Sequence, residues 1–193
     1  KKLITKEEVR VVTLAKLKLR HDMCLWDIGA GSGSICIEAD HLMPNGRIFA
    51  VERNEECRQF IKENLLKFNT RRVSLVEGNA PDCLEELPDP DRVFIGGSGG
   101  HLWEILDKVD QRLASNGRIV LNAITLDTLT AANEYFGSGC GGAPCRRNGR
   151  LIGNKPVRAE KDRAHSEIRI RFQTIARADE EVARPPSVRG SRL

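Results

Sequence analysis

Long apolar runs are missing from this sequence, and no stretch of it is long enough to span a bilayer. Cys-x-x-Cys pairs are also missing, although six cysteines are present and lie largely inside apolar segments. No signal peptide precedes them, so we expect reduced thiols in a cytoplasmic protein, with no metal site. A chain of 193 residues with 40% hydrophobic content is long enough for one soluble domain with a single good core.

Glycine is also missing at position 34, and this absence is informative. Residues 24–28 form an apolar run that contains Asp27, and Gly29, Gly31 and Gly33 follow at alternate positions. This order predicts a buried strand that breaks into a tight, ligand-binding turn before a helix. A dinucleotide-binding turn would need glycine where Ser34 stands. The spacing Gly-x-Gly-x-Gly after an acidic residue instead resembles motif I of the S-adenosylmethionine (AdoMet) methyltransferases.

Strand and helix signals alternate along the rest of the chain. Further strands are predicted at 47–51, 73–76, 92–95 and 118–123, with amphipathic helices between them. A capping box from Thr5 to Glu8 predicts a helix before the first strand, and Asn54 is expected to cap a later one. The alternation predicts a doubly wound α/β fold with a mostly parallel sheet.

Ligands of such folds bind at the carboxyl ends of the strands. Glu52 ends the second strand, where a carboxylate can accept bonds from both ribose hydroxyls, although a solvated strand end is the alternative. Asp27 either meets the ligand's ammonium or supports the glycine turn. Asn79 stands where many methyltransferases carry an Asp that receives the adenine amino group. The resemblance to these enzymes implies that the Asn79 amide oxygen accepts this bond and that Ala80 touches adenine through its backbone.

Glycines dominate the segment after the fourth strand, which reads Gly96, Gly97, Ser98, Gly99, Gly100. Successive amides there could form an anion-binding nest, or the segment could be a flexible loop. His101 follows directly and could be an acid or a carboxylate contact, or a surface histidine at a helix start.

Five segments together resemble one family, the decarboxylating precorrin methyltransferases of cobalamin biosynthesis. They are residues 4–10, 26–33, 77–81, 95–100 and 122–126, and the resemblance covers about residues 3 to 136. It implies a Rossmann-like class I methyltransferase that uses AdoMet to methylate C-15 of a precorrin-6B-type tetrapyrrole. The acetate on C-12 would lose carbon dioxide in the same reaction.

The resemblance also assigns roles by position. Cofactor contacts would come from Thr5, Gly29, Ala30, Gly31, Ser32, Gly33, Glu52 and Ala80, joined by Asp27 and Asn79. Substrate contacts would come from residues 96–101, Asn122 and Thr125, while no catalytic residue is assigned. A homo-tetramer is implied, as is association with or fusion to a C-5 precorrin methyltransferase.

The sequence departs from the family pattern in two places, and the second of them suggests a domain boundary. Asn79 stands where the family usually has Asp, and residues 137–147 do not match the two antiparallel strands that normally follow. We therefore predict a methyltransferase core at 1–136 and a divergent carboxyl segment at 137–193, in which only 167–178 alternates like a strand.

Two other functions are kept as alternatives, and the charge distribution concerns the first of them. The chain carries +4 in total, but residues from Gly137 onward hold 13 basic and 6 acidic side chains, so the part before them is slightly acidic. That basic segment is either a solvated end or an RNA-binding one, which would suit an AdoMet-dependent RNA methyltransferase. No Asn-Pro-Pro-Tyr-type signature supports RNA as substrate. A non-catalytic module that binds AdoMet or a nucleotide is the other alternative.

Overall fold

The computed structural model describes residues 5–137, 146–147 and 150–151. Strands and helices alternate through the first of these ranges. The order is α1 (Glu7–Leu17), β1 (Cys24–Ile28), α2 (Ser34–Leu42), β2 (Arg47–Glu52), α3 (Glu55–Lys67), β3 (Val73–Glu77), a 3-10 turn (Asp82–Leu84), β4 (Arg92–Ile95), α4 (Leu102–Arg112), β5 (Arg118–Leu121) and α5 (Leu126–Gly137). Two short antiparallel strands, β6 (Arg146–Arg147) and β7 (Arg150–Leu151), pair with each other.

Strands β1 to β5 form one parallel sheet in the order β3-β2-β1-β4-β5. The chain moves outward from β1 to β3 and then returns to the other side of β1 with β4. Neighbouring crossovers therefore diverge between β1 and β4, which makes the carboxyl ends of these two strands the switch point of the sheet. The predicted doubly wound α/β fold is confirmed.

Alternate residues of β1 enter two hydrophobic clusters, as the pleat of a strand requires. Leu25 packs with α1 and α2, whereas Trp26 packs with α4, α5 and the 3-10 turn. The indole nitrogen of Trp26 donates to the carbonyl oxygen of Pro88 at 3.0 Å, and the Arg112 guanidinium lies 5.2 Å from the ring centroid. Strands buried on both faces read as nearly continuous apolar runs, which is why the sequence signal was strong.

The capping box at the start of α1 is a wrong prediction. Lys6 is the residue before the helix, and no side chain caps it. The Thr5 carbonyl oxygen instead accepts a bond from Arg10, whose guanidinium also pairs with Glu38 of α2. Tertiary pairing of Arg10 thus fixes this end of the helix. The cap at Asn54 is confirmed, because its side chain accepts from the Cys57 amide at 3.0 Å.

Later elements depart modestly from expectation. The predicted face of α4 is buried at Leu102, Ile105, Leu106 and Val109, but β5 ends at Leu121 rather than at 123. Helix α5 was not predicted. The predicted strand at 167–178 lies outside the described residues.

Within the part of the chain that the structure describes, no helix has the length and apolar character of a membrane span.

Candidate active site

The glycine turn after β1 has the backbone form that its spacing predicts. Gly29, Gly31 and Gly33 all have positive φ angles, of 75°, 59° and 74°, which side-chain-bearing residues rarely adopt. The amides of Gly29 and Ala30 donate to the Val51 carbonyl oxygen at 2.9 and 3.1 Å. Helix α2 begins at Ser34, so its first amides point toward the turn. These bonds hold the turn against the end of β2. We call the turn at 29–33 the glycine cradle, because its backbone form suits a bound ligand.

A second glycine segment packs directly onto this turn. A Cβ added to Gly29 would lie 2.5 Å from the Gly97 carbonyl oxygen, so neither backbone could approach the other if Gly29 carried a side chain. The amides of Gly96 and Gly97 donate to the Ile28 carbonyl oxygen at 2.9 and 3.3 Å. The loops after β1 and β4 are therefore locked together at the switch point.

Glu52, at the end of β2, is almost fully buried with 8% of its surface exposed. One carboxylate oxygen accepts from the Gly31 amide at 2.9 Å and the other from the Asn54 amide at 2.8 Å. Each oxygen keeps further acceptor capacity, because an ionised carboxylate has about four lone-pair sites. The geometry holds two acceptors beside the glycine turn, as binding of a ribose diol requires.

Asp27 lies fully buried beneath the same turn. Its Oδ2 accepts from the Cys36 thiol at 2.9 Å, while its Oδ1 has no partner among the described residues. Burial raises the pKa of Asp27 to about 7, with the Glu52 charge adding to the rise and the Cys36 bond opposing it. Burial also raises the pKa of the Cys36 thiol well above its usual value. An unpartnered buried oxygen is a place for a cationic or water donor, and this fits an ammonium group above the turn.

The segment after β3 lies beside Glu52. The Gly78 amide donates to the Glu52 carbonyl oxygen at 3.3 Å, which draws Asn79 and Ala80 to the same edge. Ala80 is buried and Asn79 is half-buried. The Asn79 carbonyl oxygen accepts from the Cys83 amide, and its side-chain amide forms no hydrogen bond with the described residues.

Residues predicted to touch substrate follow β4 and β5. His101 is exposed just before α4, and Asn122 is tied to the end of β4 through its amide, which donates to the Ile95 carbonyl oxygen at 3.0 Å. Thr125 caps α5, since its hydroxyl accepts from the Thr128 amide at 3.2 Å. That bond gives Thr125 a structural role which the sequence had not indicated.

Two features at this edge are not predicted by the sequence patterns. Arg53, directly after Glu52, extends to the loop after β4, and Ile124 and Leu126 are large apolar side chains that stay 69% and 75% exposed beyond β5. A basic residue next to the acidic strand end was the only available signal for Arg53. A separate groove between α1 and the loops before β1 and β2 opens at the opposite edge, and none of the predicted site residues lines it.

Comparison with known proteins decides the family. The model of the precorrin methyltransferase domain matches residues 1–150. The chain belongs to the precorrin methyltransferase family. As a member of that family it is a methyltransferase that uses AdoMet, and the glycine cradle, the Glu52 acceptors and the unpartnered Asp27 oxygen fit this cofactor.

Individual relatives agree with the assignment to the family. The chain is 44% identical over 136 residues to a probable cobalt-precorrin-6B C(15)-methyltransferase (decarboxylating) of Pyrobaculum calidifontis, covering 69% of each chain. Among solved structures, the precorrin-6Y C5,15-methyltransferase of Geobacter metallireducens is 65% identical with a TM-score of 0.70, covering 72% of this chain and 73% of that one. The precorrin 8W decarboxylase of Methanobacterium thermoautotrophicum is 33% identical with a TM-score of 0.67, covering 70% and 72%.

Proposed function

We propose that this family member methylates C-15 of a precorrin-6B-type tetrapyrrole and removes carbon dioxide from the acetate on C-12. The observation that carries the proposal is the close packing of Gly97 against Gly29, which joins the loop after β4 to the cofactor turn. A substrate held by amides of the loop after β4 would lie directly beside the cofactor. The name of the Pyrobaculum calidifontis relative gives C-15 methylation with decarboxylation, and the name of the Geobacter metallireducens structure gives methylation at C-5 and C-15.

The cofactor would lie across the carboxyl ends of β1, β2 and β3. In this arrangement Glu52 accepts from the ribose hydroxyls, Asp27 faces the ammonium directly or through water, and Asn79 accepts from the adenine amino group. Ala80 and the turn at 29–33 supply backbone contacts. Thr5, two residues before α1, is the remaining cofactor contact that the family likeness suggests.

Methyl transfer needs a carbon nucleophile placed in line with the sulfonium, and AdoMet supplies the electrophilic methyl group. The tetrapyrrole brings its own electron-rich carbon, so the protein mainly orients the two partners and excludes water. In decarboxylation the bond to the carboxylate breaks, its electron pair enters the conjugated ring, and the acetate carbon takes up a proton. The loop at 96–100, with His101 after it, would place that acetate.

Apolar side chains at the open edge suit a large ring. Ile124 and Leu126 remain mostly exposed although both follow a buried strand. Exposed apolar surface beside a ligand site commonly marks the place where the ligand packs. A tetrapyrrole combines an apolar ring face with many peripheral carboxylates, so it would use this surface and the nearby amides together.

The test is turnover with methyl-labelled AdoMet and either cobalt-precorrin-6B or its cobalt-free form. We expect a product that has gained one labelled methyl group and lost carbon dioxide, detected by mass spectrometry. Nuclear magnetic resonance should show the labelled methyl group attached to C-15. Tight AdoMet binding with no change in either tetrapyrrole would refute the proposed reaction and favour a module that only binds the cofactor.

We propose further that the enzyme acts in the cytoplasm as a homo-tetramer, free or associated with a C-5 precorrin methyltransferase. The family likeness supports this proposal. Sedimentation velocity would test the tetramer, and a sedimenting species of monomer mass at micromolar concentration would contradict it.

A further inference from the structure

Arg53 lies at the candidate active site without a part in the roles assigned above. It directly follows Glu52 and its side chain is exposed. A Cβ added to Gly99 would lie 2.7 Å from Nη1 and 2.8 Å from Cζ of Arg53. The guanidinium therefore packs against the backbone of the loop after β4.

This contact joins the residue after β2 to the loop after β4, although the two strands are not neighbours in the sheet. β2 and β4 are both neighbours of β1 and lie on its opposite sides. Adjacent strands are about 4.8 Å apart, so the ends of β2 and β4 are roughly two strand spacings apart. The loop after β4 covers part of that distance, because its Gly97 backbone lies against Gly29. The contact is therefore made by the loop that also packs on the turn at 29–33.

The guanidinium is unpaired within the described residues. Its neighbour Arg58 pairs with Glu77, and Glu52 is satisfied by the amides of Gly31 and Asn54. The Arg53 side chain forms neither a salt bridge nor a hydrogen bond to residues 5–137. Its five N–H donors form a planar fork, which lies against the loop after β4 and has no acceptor among the described residues.

We propose that Arg53 binds a carboxylate of a ligand held at the two glycine loops. A guanidinium fork matches a carboxylate in a bidentate geometry and carries the opposite charge. Two carboxylates could arrive there: that of the amino-acid end of AdoMet, and a peripheral one of the tetrapyrrole. The second source rests on the proposed function, whereas the first does not.

The experiment compares Arg53→Gln with the wild-type chain in three measurements. S-adenosylhomocysteine carries the amino-acid carboxylate and 5′-methylthioadenosine lacks it, so calorimetry with both isolates that group. Titration with cobalt-precorrin-6B, with S-adenosylhomocysteine present, measures the other source. Loss of a hydrogen-bonded ion pair should weaken the affected ligand at least about tenfold.

If the cofactor supplies the carboxylate, Arg53→Gln weakens S-adenosylhomocysteine and leaves 5′-methylthioadenosine unchanged. If the tetrapyrrole supplies it, both nucleosides bind as before and the tetrapyrrole binds more weakly. Arg53→Lys, which keeps the charge but not the fork, should fall between Gln and wild type for that ligand. Equal weakening of both nucleosides, or no weakening of any ligand, would overturn the assignment.

Arg47→Gln is the matched control, since Arg47 is an exposed arginine at the other end of the same strand. It should leave all three affinities unchanged. Wild-type protein that neither binds nor methylates the tetrapyrrole would refute the proposed function instead. The two nucleosides alone would then decide on Arg53, and a null result with them would refute its role.

Discussion

At the scale of single residues, Glu52 has the best-defined geometry in the site. Two backbone amides fix its carboxylate, so its remaining lone pairs point in set directions. Glu52→Ala should weaken AdoMet binding by about 1–3 kcal/mol, the usual cost of losing hydrogen bonds to a charged group. Isothermal calorimetry measures the change directly.

Glu63→Ala provides the control for Glu52, because Glu63 is an exposed glutamate on α3 whose side chain accepts from Gln59. AdoMet affinity should be unchanged in that variant. If Glu52→Ala also binds AdoMet with unchanged affinity while its melting curve remains cooperative, Glu52 does not contact the ribose.

Substitutions of Asn79 test the predicted contact with adenine. Its side-chain amide is half-buried and makes no bond to the described residues, so it is available to a ligand. Asn79→Asp should tighten AdoMet binding, since a carboxylate accepts from the adenine amino group more strongly than an amide does. Asn79→Ala should weaken it. Weaker binding by a folded Asn79→Asp variant would show that the amide donates a bond there and would remove this residue from the adenine contact.

The raised pKa of Asp27 predicts how the free energy of unfolding changes with pH. Its pKa is about 7 in the folded protein against 3.8 ordinarily, because burial disfavours the charged form. Between these values the folded state keeps a proton that the unfolded state loses, so this group lowers the free energy of unfolding as pH rises, and the loss is complete above about pH 7. Asp27→Asn should therefore lose less stability than wild type over that interval, measured by urea unfolding without cofactor.

The same ionisation separates the two roles of Asp27. If its carboxylate meets the AdoMet ammonium, cofactor affinity should fall as pH drops below about 7 in the wild type but not in Asp27→Asn. Parallel pH dependences of affinity in the two proteins would leave Asp27 as a support for the turn. Equal slopes of stability with pH would contradict the raised pKa itself.

At the scale of elements, the two glycine loops respond differently to an added side chain. A Cβ at Gly29 collides with the Gly97 backbone, whereas a Cβ at Gly97 has nothing within 4 Å and an ordinary φ angle. Gly97→Val should therefore keep the fold and AdoMet affinity but stop methylation and carbon dioxide release together. Gly29→Ala should impair AdoMet binding as well, because the loops must separate.

Circular dichroism and calorimetry distinguish these outcomes before turnover is measured. If Gly97→Val loses AdoMet binding but still binds the tetrapyrrole, the loop at 96–100 contacts the cofactor and not the substrate. Full activity in that variant would reduce the loop to a connector.

Sequence patterns predicted the elements of this fold that depend on local chemistry. The glycine turn, the Asn54 cap and the apolar face of α4 each have a short-range signal, and all three are confirmed. Contacts between distant segments were not predictable in this way. The capping box failed because Arg10 holds the start of α1 through Glu38, 28 positions away, and the Arg53 contact arises only when β2 and β4 flank β1.

At the scale of the whole molecule, the described core and the predicted site come from the same part of the chain. Among the described residues, the buried members of both hydrophobic clusters lie between Leu17 and Ala132, and the partly buried side chains around them lie between Leu14 and Phe136. The predicted cofactor contacts all precede residue 81, and the predicted substrate contacts all precede residue 126. Among the described residues, the core and the predicted cofactor site are both built from the part of the chain before residue 137.

The domain division at 136 follows as a testable prediction. A chain truncated after Gly137, where α5 ends, should unfold cooperatively and bind AdoMet with the affinity of the full chain, since it keeps both clusters and the site edge. Thermal melting and calorimetry measure the two properties. Truncation after Leu121, which removes α5 with its contacts to Trp103 and the first cluster, is the control that should fail to fold. If the chain ending at Gly137 also fails to fold, residues 138–193 contribute to the core, and the methyltransferase domain extends beyond the predicted boundary.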